Sequence, residues 1–413
     1  MEIYESRIIP VNTPFFGGGG GGVKTEVIIE SEEIVPISPD SPTITSPNSS
    51  GLYFATSTVT FSGVASSTLA ISSDYSNATT TVGNNGQWEL TLSDFSEGTT
   101  TIQFMAMDSD NLVSDPTEIS IIIDTVIPTI SSFSVLECNY SLRTDSCLLG
   151  DDTLNLSWMS TSTDISYYSI IKDGISIATT TATTSSQTFS DGTYSVEVVA
   201  YDNAGNSATS SSRSVEIYTM PIIINEIAWS GTASSSADEW IELYNRTNYT
   251  VDLSNVIIMA DDNVPYINLS GTIASGDYYL IERSDDTTTS VSADLATAFS
   301  GIGGGSGLSN TVEKLNLVHV LGGQASTTLD STPSISSCSG VWCAGTGSSE
   351  YKSMERVGVD TIGTNSNNWA SNNTYTKNGT DVGANAINGT PKSRNSVNLA
   401  SIGYYKTPET SSY

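Results

Sequence analysis

Cationic side chains are scarce in this chain: 14 Lys and Arg stand against 45 Asp and Glu, a formal net charge of −31. Binding to nucleic-acid phosphate draws on clustered cations that release counterions, so nucleic acid is not an expected partner. Histidine occurs once, at His319 in EKLNLVHVLGG. One histidine cannot build a His-rich zinc or iron site, and a Ser/His/Asp triad would need it beside a nucleophile elbow that the sequence lacks. His319 alternates with Leu315 and Leu317, which predicts a satisfied histidine on a strand. No apolar run reaches the ~18 residues of a membrane span, and no helical stripe lasts three turns. The glycine-rich Gly301–Gly307 stretch lacks the GK[ST] and following helix of a phosphate loop and reads as a plain loop.

Cysteine is also sparse, with four residues in two close pairs, Cys138 with Cys147 and Cys338 with Cys343. No CxxC or Cys/His array suggests zinc. Two local disulfides that pin irregular turns, and an exported protein, are expected; reduced cysteines in a cytosolic chain are the alternative. The N-terminus has no basic start or apolar stretch of a signal peptide, so the expectation is a piece of a longer exported chain, or another route. Gly17–Gly22 and the acidic run after it read as a flexible linker over 1–36, and 406–413 as a tail.

What is abundant is Ser, Thr, Asn and Gly around apolar segments a few residues long, the texture of an all-β protein with two to four domains. GTTTIQFMAMDSDN from Gly98 and GTYSVEVVAYDNAGN from Gly192 repeat in step, offset by 94 residues. Ile102, Phe104 and Ala106 alternate on one face in the first copy, and Val196, Val198 and Ala200 in the second. Such a period suits a seven-stranded sandwich. LNLSWMS places Leu154, Leu156 and Trp158 on one strand face, NNGQWELTL does the same with Trp88, Leu90 and Leu92, and Lys172-Asp173-Gly174 predicts a hairpin turn. Asp191-Gly192-Thr193-Tyr194 resembles the tyrosine corner of immunoglobulin-like sandwiches; the first copy has Thr100 there. Residues 37 to 219 resemble tandem bacterial immunoglobulin-like or fibronectin type III-like repeats, expected over 37–124 and 125–219, with Pro128 and Pro221 as boundary marks. Both of the repeated strands end in oxygen-rich turns, Asp108, Asp110 and Asn111 in one and Asp202 and Asn203 in the other. Calcium is one reading of them, and side chains capping their own backbone the other. No other cofactor is expected.

The stretch INEIAWSGTASSSADEWIELYN, residues 224–245, carries three glutamates and two tryptophans. Its first strand is apolar almost throughout, as for a strand covered on both faces. Its second alternates, so Glu239 and Glu242 point to opposite faces and cannot pair with each other. Glu226 can meet one of them across a strand pair, and two carboxylates about 5 to 9 Å apart are the equipment of a glycosidase. The alternative is a sandwich core that uses the tryptophans as filling.

This stretch resembles the lamin-tail domain, an immunoglobulin-like sandwich. The resemblance runs through Asn225, Glu226, Trp229, Glu239, Trp240, Glu242 and Asn245, then Val251-Asp252-Leu253-Ser254 and GTIASGDYYLIER. It closes with Ser353-Met354-Glu355-Arg356, Asn368-Trp369, Gly389-Thr390-Pro391 and Asn395, about residues 221 to 398. It implies a module over 220–405 in which the glutamates and tryptophans are framework and no residue is catalytic. Two departures are present: Asn255-Val256 replaces a Gly-Trp, and Thr287 to Ser349 is longer than the basic domain needs, as for a loop insertion. The expected architecture is three consecutive immunoglobulin-like sandwiches. The expected role is a non-catalytic extracellular or cell-surface protein that binds a protein, glycan or envelope component. The alternative is an accessory region of a larger secreted hydrolase, such as a nuclease, with its catalytic domain elsewhere. Asn-x-Ser/Thr triplets at Asn77, Asn155, Asn245, Asn248, Asn268 and Asn378 arise readily in such a composition and carry no expectation of glycosylation.

Overall fold

Strands of two to eleven residues and two 3-10 turns, Leu136–Tyr140 and Ser366–Asn368, make up the regular structure. The computed structural model describes residues 6–13, 24–31, 36–322 and 326–397. The glycine tract Gly17–Gly22 and the 406–413 tail lie outside the described residues. The chain is all-β, and it divides into two compact units: residues up to Ile127 together with Tyr201–Ser207, and the described remainder.

In the first unit, segments Ser6–Thr13 and Lys24–Ser31 pair as antiparallel strands. These two segments fall within the stretch expected as a linker over 1–36, and the β-branched residues of RIIPV and EVII favour a ladder over a coil. A sandwich follows. Its three-stranded sheet runs Thr43–Ser46, Val59–Val64, Gln87–Leu92, and its five-stranded sheet runs Leu52–Phe54, Thr117–Ile123, Gly98–Met107, Ala70–Ser73, Thr79–Thr81. Alternation puts Phe61, Ile71, Ile102, Phe104, Ala106 and Ile121 wholly inside. Trp88 and Phe61 both lean on Phe104, with ring centroids 5.3 and 5.0 Å away. A Cβ on Gly63 would lie 1.8 Å from the Thr43 carbonyl oxygen, so this strand position admits only glycine.

The second unit opens with another sandwich. Ser131–Val135, Thr153–Met159 and Thr184–Thr188 form one sheet, and Cys147–Leu149, Arg213–Ile217, Gly192–Asp202, Ile165–Lys172 and Ile175–Thr180 follow in that order in the other. The repeat is real in space, since Val196, Val198 and Ala200 are all fully buried. The tryptophans are not equivalent, however. Trp158 sits on the central strand of its three-stranded sheet and Trp88 on an outer strand of its own. Asp173 and Gly174 have φ of 50° and 78°, the left-handed pair a two-residue hairpin turn demands. Tyr194 donates to the carbonyls of Ser190 at 3.0 Å and Asp191 at 3.3 Å, closing the tyrosine corner, and leans on Phe189. In the first repeat, which has Thr100 there, Tyr75 takes the role from a different loop: it stacks on Phe95 at 4.2 Å and donates to the Asp94 carbonyl at 2.8 Å.

A third sandwich completes the second unit. Its six-stranded sheet is ordered Leu295–Thr297, Tyr278–Arg283, Trp240–Asn245, Ile222–Ala228, Met354–Arg356, Trp369–Ser371. Opposite lies a four-stranded sheet ordered Tyr266–Asn268, Val256–Ala260, Leu315–His319, Thr327–Ser331. The stretch from Thr287 to Ser349 is therefore not simply an insertion, because three of these strands come from it. Their shortness, between long runs of Ser, Thr and Gly, hides them from a periodicity reading. Both cysteine pairs are disulfide-bonded. The Cys338–Cys343 loop carries Trp342, which stacks parallel on Trp229 at 5.9 Å. Both indoles donate to backbone, Trp229 to Ala344 and Trp342 to Ser309.

Candidate functional site

Ile222–Ala228 is buried at every position, as its apolar run requires. Its pairing with Trp240–Asn245 slips by one residue between Ile224 and Glu226, a bulge at Asn225. The slip sets Glu226 directly across from Glu242 on one side and Glu355 on the other. Three glutamates thus stand in a row on three adjacent strands, and none of them reaches solvent. Glu226 does meet a carboxylate across a strand pair, and the partner is Glu242, not Glu239.

Three carboxylates this close and this dry cannot all carry charge. Burial pushes Glu226 up to about 8, and the neighbouring Glu355 adds to the rise. Burial, then Glu226, raises Glu242 well above the carboxylate range, and burial raises Glu355 as well. Each acceptor oxygen is occupied by the chain itself. Glu226 accepts from the Thr390 amide at 2.8 Å, the Thr390 hydroxyl at 2.7 Å and the Ser353 hydroxyl at 2.5 Å. Glu242 accepts from Asn225 at 2.7 Å and from the Lys392 amide. Glu355 accepts from Asn372 and Ser396, each at 2.6 Å, and from the Val397 amide at 3.2 Å. Asn395 locks to Asn225 in the same layer. The row is a clasp for the segment 389–397. Gly389 makes the approach possible, for a Cβ there would stand 2.7 Å from the Trp240 ring and 2.8 Å from a Glu226 oxygen.

The other framework residues hold loops in the same way. Glu239 accepts from the Leu308 amide at 2.8 Å and from Arg283 at 3.1 Å, and burial brings it up to about 7. Asn245 donates to the carbonyls of Tyr249 and Ile273 and accepts from the Thr247 amide. Trp240 packs with Ala228, Leu280 and Ile387 beneath the strap. Sequence reasoning missed Glu282, which accepts from the amides of Thr288 and Thr289 and is raised by burial to about 7. It also missed the fully buried Arg356, paired with Asp330 and donating to the Ile224 carbonyl at 3.0 Å. The ER of DYYLIER and the MER of Ser353 to Arg356 were the available signals, each a Glu-Arg pair closing a strand.

A cavity beside Trp240, lined also by Ala228, Asp381 and Ile387, has a volume of about 30 Å³, far below the several hundred Å³ of a ligand pocket. The calcium candidates make tight turns. Asp108 accepts from the amides of Asp110 and Leu112, both at 2.9 Å, while Asp110 and Asn111 are exposed. Asp202 accepts from the amides of Ala204 and Asn206, and Asn203 is exposed. His319 is buried, and burial lowers its pKa. Its Nε2 lies 2.6 Å from the Tyr140 carbonyl, which can only accept, so the proton is on Nε2. Among the described residues Nδ1 has no partner, so the histidine is half satisfied by them and not fully so.

The geometry defines a β-sandwich whose buried carboxylates serve as loop clasps. Residues 216–332 match the family model of the Lamin Tail Domain. The six-stranded sheet extends past that match, through Met354–Arg356 and Trp369–Ser371. No curated protein matches the chain. Among solved structures, the fibronectin(III)-like modules of Clostridium thermocellum CbhA are similar at 18% identity and a TM-score of 0.31, over 43% of this chain and 93% of theirs. A solved chain from a 1.5-MDa bacterial ice-binding adhesin is similar at 13% identity and a TM-score of 0.25, over 70% of this chain and 96% of that solved chain. The C-terminal 282-residue fragment of intimin, solved with its translocated receptor, is similar at 13% identity and a TM-score of 0.23, over 46% and 67%. At TM-scores this low the fold argument rests on the sheets described above.

Proposed function

We propose that the chain is a non-catalytic binding protein of the cell exterior, whose sandwiches, over 37–124 and 125–219, carry a lamin-tail module over 220–405 toward a protein, glycan or envelope component. The observation that carries this reading is the occupancy of the glutamate row. A glycosidase needs two carboxylates flanking an open cleft that admits a sugar and a water. Here Glu226, Glu242 and Glu355 are fully buried, and their oxygens are taken up by residues 390–397 together with Ser353, Asn225 and Asn372. The paired cysteines and the scarcity of cations support an exported, acidic surface protein. Among the described residues no helix is long and apolar enough to cross a membrane.

Pull-down on envelope fractions, a glycan array and surface labelling test the reading together. Retention by at least one is expected, and three blanks would overturn it. A hydrolytic activity abolished by Glu226→Gln, in a protein that melts as before, would also overturn it.

A further inference from the structure

The tandem-repeat pattern casts the second sandwich as a spacer. Its contacts give it a different role. The segment bounded by the Cys138–Cys147 disulfide leaves that sandwich and enters the lamin-tail sandwich. Leu142, inside the loop, and Leu148, beside it, are fully buried and belong to the tail's hydrophobic core with Ile222, Leu253, Leu317 and Leu329. The Leu142 carbonyl accepts from the Asp252 amide at 2.8 Å, and the Arg143 guanidinium lies 4.0 Å over the Tyr249 ring. Tyr140 grips a third strand end: its carbonyl takes the His319 proton and its hydroxyl donates to the Gly322 carbonyl at 3.0 Å. A Cβ on Gly322 would lie 2.0 Å from the Tyr140 ring, and one on Gly150 2.1 Å from Leu329, so both sides of the joint are cut for each other.

We infer that this disulfide-braced knob is a core element of the lamin-tail module supplied by its neighbour, and that the Cys138–Cys147 bond controls whether the two sandwiches act as one body. The loop's internal ties are short-range: Leu142 meets Leu148 backbone to backbone, Ser141 holds the amides of Leu148 and Arg143 and donates to the Ser146 carbonyl, and Arg143 pairs with Asp145. The disulfide joins its two ends, with Cα atoms 5.0 Å apart. A dithiol reductant breaks it by exchange: two thiol protons and two electrons pass to Cys138 and Cys147, and the reductant leaves as its own disulfide. Both cysteines are partly buried as residues. The freed loop then has to order itself to keep Leu142 in the tail, a conformational cost that the bridged loop has already met. Reduction therefore loosens the joint while each sandwich keeps its own sheets. This inference stands whether or not the tail binds a surface component.

The test uses the full chain with amide hydrogen exchange and calorimetry. In the wild type the second and third sandwiches unfold together, and the Asp252 amide is protected. In Cys138→Ser/Cys147→Ser, and in Leu142→Ala, the Asp252 amide exchanges at least about tenfold faster while the Leu253 amide, held by Gly271 within the tail, is unchanged. Leu142→Asp splits the shared transition in two, with the tail melting first, and Leu142→Met leaves it single. Cys338→Ser/Cys343→Ser leaves Asp252 protected. Two independent transitions in the wild type, or unchanged Asp252 exchange in both Leu142→Ala and the Cys138/Cys147 variant, would overturn the inference. If Leu142→Asp unfolds the whole chain, the exchange of the two milder variants decides the matter.

Discussion

Replacing Glu226 by glutamine removes a titrating group while keeping its shape. In the native protein this carboxyl is held up to about 8 by burial and by Glu355, whereas its ordinary value is 4.5. A raised carboxyl pKa favours the folded state most when the group is protonated in both states, below about pH 4.5. That contribution is lost as pH climbs through 8. The difference between the two pKa values corresponds to on the order of 5 kcal/mol between those limits, a ceiling shared with the adjacent Glu242 and Glu355. Glutamine matches the protonated acid. Its oxygen accepts from the Thr390 amide, and its NH₂ donates to the Thr390 hydroxyl, which is free to accept. At pH 5, Glu226→Gln is therefore expected within about 1 kcal/mol of wild type, and at pH 9 it is the more stable protein. Glu226→Ala leaves the Thr390 amide without its acceptor and costs about 3 kcal/mol at pH 5, and because alanine does not titrate either, that deficit against wild type shrinks toward pH 9. Melting curves of the three proteins between pH 5 and pH 9 are the assay. If the glutamine variant kept the wild-type pH slope, or fell as far as alanine at pH 5, the claim that Glu226 is a protonated clasp would be wrong.

Three further outcomes are expected. Arg356→Met leaves Asp330 buried without its cation and lowers stability by about 3 to 5 kcal/mol in urea titration, while Arg356→Met combined with Asp330→Leu recovers much of that loss. Tyr194→Phe removes the corner hydrogen bonds and costs about 1 kcal/mol, measured on the shared transition of the second and third sandwiches; no change would deny the corner a load. Chelator leaves the melting of the first and second sandwiches unmoved, since Asp108 and Asp202 already cap their own turns, and a chelator-dependent shift would restore the calcium reading.

The sandwiches were legible because alternation is a local signal. Ile102, Phe104 and Ala106 declare a buried face without reference to any other strand. The offset of 94 residues located the repeat, and Asp173-Gly174 located its hairpin. The glutamate row was half legible. Side-chain parity separates Glu239 from Glu242 within one strand, but the bulge at Asn225 and the pairing with Met354–Arg356 set which glutamates face each other. Those are non-local facts. The segment 389–397, which saturates the row, has almost no regular structure and leaves no periodic mark. The strands between Thr287 and Ser349 stayed hidden for a related reason: five apolar or mixed residues between polar runs do not distinguish a core strand from a loop.

The two corners that tie down Phe95 and Phe189 bear on any attempt to shuffle these repeats. They perform one task with parts drawn from different places, Tyr75 in one and Tyr194 in the other. Grafting the Gly192–Asp202 strand onto the first repeat would bring a second phenol to the flank of Phe95, where Tyr75 already stacks. The reciprocal graft would leave Phe189 with none. Chimeras of the two repeats are thus compatible only when loop and strand are exchanged as a set.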